Sequence, residues 1–168
     1  MKKKLTALLC TLCMAVALCA TAFAKAATPT LTATATLSED KKQVKVVLSL
    51  SGMDGNYTYL TSDLAYDTNQ ITYNSAENGD VFDALSVNEE IPRLLWEMKS
   101  GSVNKNGTAA TLVFDVKDGV TGEIKINASS FITAYKEGNS GDAEDIDMAA
   151  TSASVTIAAV QPTTAPTT

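Results

Sequence analysis

Alternation of apolar and polar residues with a period of two is the feature that most limits what this chain folds into. In Leu31-Thr32-Ala33-Thr34-Ala35-Thr36-Leu37 the apolar residues take the odd positions and threonines the even ones. Successive side chains of an extended strand point to opposite faces, so this spacing gives one apolar and one polar face. Val44, Val46, Leu48 and Leu50 repeat the pattern against Lys45 and Ser49, and Ala110, Leu112, Phe114 and Val116 repeat it against Thr111, Asp115 and Lys117. Ile124 with Ile126, and Val155 with Ile157, mark two shorter strands. No sustained helical stripe competes with them, although Asp83 to Glu90 has room for one helical turn.

Turn signals separate these runs at short intervals: Ser51-Gly52, Asp54-Gly55, Asn78-Gly79, Asn106-Gly107, Asp118-Gly119 and the stretch from Gly138 to Gly141. Such pairs tolerate the positive φ that tight hairpins require. Many short half-buried strands joined in this way predict an all-β, antiparallel sandwich.

The first 24 residues read differently. Met1-Lys2-Lys3-Lys4 is basic, Leu5 to Ala20 is apolar, and Ala22-Phe23-Ala24 is a small-x-small site, which together read as a secretory signal peptide over 1–24 with cleavage after Ala24. The expected location is extracellular, either secreted free or associated with the cell surface, with no membrane insertion after cleavage. Cys10, Cys13 and Cys19 all lie in this leader, so residues 25–158 form one domain held by a packed core without disulfides. Cleavage removes three of the 13 basic residues and none of the 19 acidic ones, which takes the formal charge from −6 to −9. Nucleic acid and anionic membranes repel such a chain. Residues 159–168 lack apolar periodicity and contain Pro162 and Pro166, as expected of a linker or tail.

The chain has no histidine, and residues 25–158 have no cysteine. Ser-His-Asp and Cys-His nucleophilic sites and histidine-ligated metals are thereby excluded. Paired-carboxylate chemistry needs two acids beside a sugar cleft, which a domain this small with one tryptophan offers little room for, so no catalysis is expected. Asp142, Glu144, Asp145 and Asp147 form the densest acidic group. Their spacing lacks the Asp-x-Asp-x-Asp-Gly order of an EF-hand and reads as a solvated loop, so neither metal nor other cofactor is expected. In Arg93-Leu94-Leu95-Trp96-Glu97-Met98-Lys99 the even positions 94, 96 and 98 are apolar, which turns Trp96 inward. Tyr57 and Tyr59 share a parity, and two tyrosines exposed together make a weak sugar-stacking platform.

Three segments resemble the cohesin family, the dockerin-binding modules of cellulosome scaffoldins. The first runs from Val44 through Ser51-Gly52-Met53 to Leu64-Ala65-Tyr66-Asp67-Thr68-Asn69-Gln70-Ile71-Thr72-Tyr73, followed by Asn78-Gly79-Asp80-Val81-Phe82; the second is Leu94 to Gly101; the third is Gly107 to Val116. The resemblance spans about residues 29 to 158 and implies a jelly-roll sandwich of about nine strands. It also implies a partner, a dockerin-bearing extracellular enzyme in a scaffold for polysaccharide degradation. The strand before Tyr66-Asp67 then turns Tyr59, Thr61, Asp63 and Ala65 outward, and the strand ending at Ser100-Gly101 turns Leu95 and Glu97 outward; these six are the expected partner-binding residues. Thr61 and Met98 stand where many members carry an acid, and the stretch from Asp80 to Arg93 is shorter than the one that holds a further binding strand in cellulosomal members. Carbohydrate-binding modules share the sandwich, so polysaccharide is the alternative ligand and a structural spacer the third reading.

Overall fold

A computed structural model describes residues 28–53, 57–90, 92–103, 105–135, 143–145, 148–150 and 152–157. The leader, the tail, the Asp54-Gly55 turn and the glycines between 138 and 141 lie outside the described residues.

The period-two segments become strands of two packed sheets. One sheet has the order β10-β1-β2-β7-β4, with β1 at Thr30–Leu37, β2 at Gln43–Ser51, β4 at Ile71–Asn78, β7 at Gly107–Val116 and the two-residue β10 at Ala149–Ala150. The other has the order β11-β8-β3-β6-β5, with β3 at Tyr57–Tyr66, β5 at Ala84–Asn88, β6 at Arg93–Glu97, β8 at Gly122–Tyr135 and β11 at Ala153–Ile157, while the short β9 at Ala143–Asp145 adds to the free side of β8. Every pairing is antiparallel except β1 with β10. Without the three-residue β9 and two-residue β10, nine strands remain among the described residues, the number implied above.

The expected inward residues fill the space between the sheets. Leu31, Val44, Val46, Leu48, Leu50, Leu112 and Phe114 are fully buried from one side, and Leu60, Leu94, Trp96 and Ile124 from the other. Trp96 lies against Phe82 with ring centroids 6.1 Å apart, and its indole N–H donates to the Ala109 carbonyl at 2.8 Å, a bond from β6 to β7 across the sandwich. Ala109 and Ala110 are both buried because the β2–β7 register slips between Leu48 and Ser49, leaving Ala109 without a partner on β2.

The segments behind the family resemblance have local physical roles. Asp67 organises the β3–β4 turn: its carboxylate accepts the Asn69 N–H at 2.8 Å and its carbonyl accepts those of Gln70 and Ile71. Tyr66 meets Phe114 edge-on at 5.0 Å. After β4 the chain folds tightly onto β7, with Gly79 N–H donating to Ala109 O at 3.0 Å and Asp80 N–H to Thr108 O at 2.8 Å. A Cβ at Gly79 would lie 1.8 Å from the Thr108 carbonyl oxygen, which is why glycine stands there.

Two expectations change. The segment from Asp83 to Glu90 holds β5, not a helical turn: each residue from Ala84 to Asn88 pairs with β6, and this sheet edge satisfies more backbone than one isolated turn would. The short stretch between Asp80 and Arg93 therefore still supplies an edge strand. The strand marked by Ile124 and Ile126 also continues to Tyr135, through a register shift opposite Thr61 to Asp63.

Candidate partner-binding face

The outward side of β5, β6, β3 and β8 contains all six expected residues. Registered neighbours in antiparallel strands share a face, so the pairings assemble it in rows. The central row is Ser86, Leu95, Thr61 and Ile132; on one side lies Asn88, Arg93, Asp63 and Ser129, and on the other Ala84, Glu97 and Tyr59. Leu95, Thr61, Asp63 and Tyr59 are half-buried and Glu97 is exposed, while Leu60, Ser62, Leu64, Leu94 and Trp96 point into the core. Ala65 is exposed but lies further along, in a separate shallow cleft with Asn127 and Lys125.

Asp63 has a different environment from that of a free outward acid. Its carboxylate is gripped by Arg93, with Nε to Oδ1 at 2.5 Å and Nη2 to Oδ2 at 3.1 Å. The hydrogen bond from Arg93 holds the Asp63 carboxyl below its ordinary value of 3.8 against some desolvation, with charge attraction to Arg93 and a hydrogen bond from Ser130 adding to it. Ser130 sits in the left-handed region, φ 54°, within the register shift of β8. Arg93 and Asp63 are 30 residues apart in sequence. The register of β3 with β6 is what joins them.

Arg93, Ser86 and Ile132 belong to this face and were not singled out from sequence. The β-prone run Phe131-Ile132-Thr133 carried a signal for Ile132. Its facing depends on the irregular register: Ala128 packs toward the core, parity would put Ser130 beside it, and the shift turns Phe131 and the fully buried Thr133 inward instead, the Thr133 hydroxyl donating to the Tyr59 carbonyl.

The tyrosine platform does not form. Tyr57 is only 7% exposed and belongs to the core, because the β3–β8 register also shifts between Tyr57 and Tyr59 and breaks their common parity. Among the described residues there is no group of three metal-ligating side chains. Asp142 and Asp147 of the acidic stretch lie outside the described residues; the backbone of Glu144 and Asp145 is extended beside Thr133 and Ile132. No described helix is long and apolar enough to cross a membrane.

Two closely packed, mainly antiparallel sheets with this strand order define a jelly-roll sandwich. Within that class the chain has the cohesin fold. It superposes on the seventh ScaB type I cohesin from Pseudobacteroides cellulosolvens with a TM-score of 0.63, 19% identity and coverage of 84% of this chain and 99% of that one. The sixth cohesin of Acetivibrio cellulolyticus scaffoldin B, solved in complex with a Cel5 dockerin, gives 0.63, 17% identity and coverage of 77% and 99%. A non-cellulosomal cohesin from Archaeoglobus fulgidus gives 0.56, 10% identity and coverage of 79% and 93%. No family model matches the sequence, and no curated protein matches it.

Proposed function

We propose that this chain is an extracellular, non-catalytic module that captures a dockerin-type partner on the outward face of β5, β6, β3 and β8. The observation that carries the reading is the central row, where Leu95 and Ile132 flank Thr61 on a sheet surface bordered by charged and polar side chains. An apolar centre with a polar rim is the usual anatomy of a protein–protein contact. The fold occurs in solved cohesin–dockerin complexes, which makes a dockerin the first partner to test. The leader supports export, and attachment of the partner to an enzyme of polysaccharide degradation follows from the same reading. Tyr59, Thr61, Asp63, Ala65, Leu95 and Glu97 are the proposed contact residues, joined by Ile132.

Calorimetric titration against a panel of purified dockerin modules tests this. At least one should bind, and Leu95→Asp should weaken it by about 100-fold or more, since a lone carboxylate would be buried at the contact. Equal binding by wild type and Leu95→Asp would overturn the proposed face. Affinity electrophoresis in soluble glucans and xylans provides the other arm: no retardation is expected, and retardation would favour polysaccharide as the ligand.

A further inference from the structure

The rows of this face set a charge pattern. Asp63 and Arg93 neutralise each other, and near the other end of the sheet Lys125 lies 3.4 Å from Glu123. Glu97 is exposed and has no ion pair among the described residues. It lines a shallow cleft of about 400 Å³ with Thr58, Tyr59, Ala84, Met98 and Lys99. Tyr59 is its registered neighbour on β3, and Leu95 lies two residues along the same strand.

Covering a carboxylate with a partner costs free energy unless the partner supplies a cation. Asp63 already has its cation within the chain, whereas Glu97 has none among the described residues. A guanidinium suits the cleft best, because it pairs with a carboxylate and also stacks on an aromatic ring such as that of Tyr59. Residues two apart on a strand are separated by about 7 Å, close to the spacing of neighbouring side chains on one helix face, about 5 to 6 Å. One turn of a partner helix therefore covers both Leu95 and Glu97.

Resting on the reading of this face as the dockerin-binding surface, we propose that Glu97, and not Asp63, is its specificity-determining charge. The partner seats an apolar side chain on the Leu95–Thr61–Ile132 row and, one helical turn away, lays an arginine or lysine over Glu97 beside Tyr59. Lys99 lines the same cleft and opposes that cation.

The test is calorimetric titration of the panel's best binder with folded variants, at about 50 mM and about 500 mM NaCl. Glu97→Gln should weaken binding about tenfold at low salt, and the difference should shrink several-fold at high salt as the charges are screened. The double variant Asp63→Asn, Arg93→Gln alters contact residues without changing the net charge, so whatever affinity it loses should be the same at both salt concentrations, whereas Lys99→Ala should strengthen binding about twofold at low salt. Unchanged binding by Glu97→Gln, where Leu95→Asp abolishes it, would overturn this assignment and leave the face intact. A double variant whose loss shrinks at high salt, as that of Glu97→Gln is expected to, would return the charge reading to Asp63. Full binding by Leu95→Asp would remove the face and the assignment together.

Discussion

Replacing Trp96 by alanine removes the largest fully buried side chain among the described residues, together with its hydrogen bond from one sheet to the other. Truncation of a buried tryptophan costs about 3 to 5 kcal/mol through lost transfer energy and the cavity left behind. The lost hydrogen bond belongs within that range and does not add to it, because Ala109 O keeps the Gly79 N–H and is not left unsatisfied. We therefore expect about 4 kcal/mol for Trp96→Ala, and about 1 to 2 kcal/mol for Trp96→Phe, which retains the packing on Phe82 but not the N–H donor. Leu95→Ala, one residue away on the opposite face, should cost about 1 kcal/mol or less. Urea unfolding followed by far-ultraviolet circular dichroism measures all three, since the chain's single tryptophan is itself substituted in two of them. If Trp96→Ala and Leu95→Ala unfold within about 1 kcal/mol of each other, the facing of β6 is wrong and the proposed contact surface falls with it.

Other consequences can be checked separately. The Asp63 carboxyl should titrate below 3.8 in a carbon-detected NMR experiment, so its pairing with Arg93 stabilises the fold at neutral pH and is lost only as pH falls through that depressed value. Arg93→Gln should move the midpoint upward; an unmoved midpoint would mean the pair does not form in solution. Gly79→Ala forces the β4–β7 crossing apart and should cost about 2 to 3 kcal/mol in thermal or urea melts, against an unchanged melt if the approach to Thr108 is looser than described. Mass spectrometry of exported protein should find Lys25 at the N-terminus, and a retained leader would contradict the export reading.

Much of the core was legible because burial on one face writes itself as alternation. β1 and β2 carry strict alternation, β7 does so from Ala110 onward, and the inward residues of those stretches are the ones expected. Trp96 was legible for the same reason, through Leu94 and Met98 on its parity. Alternation fails where a strand shifts register. Tyr57 and Tyr59 share a parity in sequence but not in burial, and the facing of Ile132 depends on a shift that no residue pattern announces. β5 was missed because Ala84-Leu85-Ser86-Val87-Asn88 is an edge strand with a weak apolar face, defined by its partner β6. Asp63 was placed on the correct face, yet its neutralisation by Arg93 is a contact between strands and is visible only once β3 and β6 are in register.

The proposed dockerin-binding face is the outward side of β5, β6, β3 and β8. Titrating isotopically labelled protein with a binding dockerin and following backbone amide resonances tests it directly. Perturbations should centre on Thr61, Leu95, Glu97 and Ile132 and leave Thr34, Lys45, Thr111 and Glu77, on the outer side of the β1–β2–β7–β4 sheet, unmoved. A footprint centred on that second set, or no footprint from any dockerin tested, would contradict it.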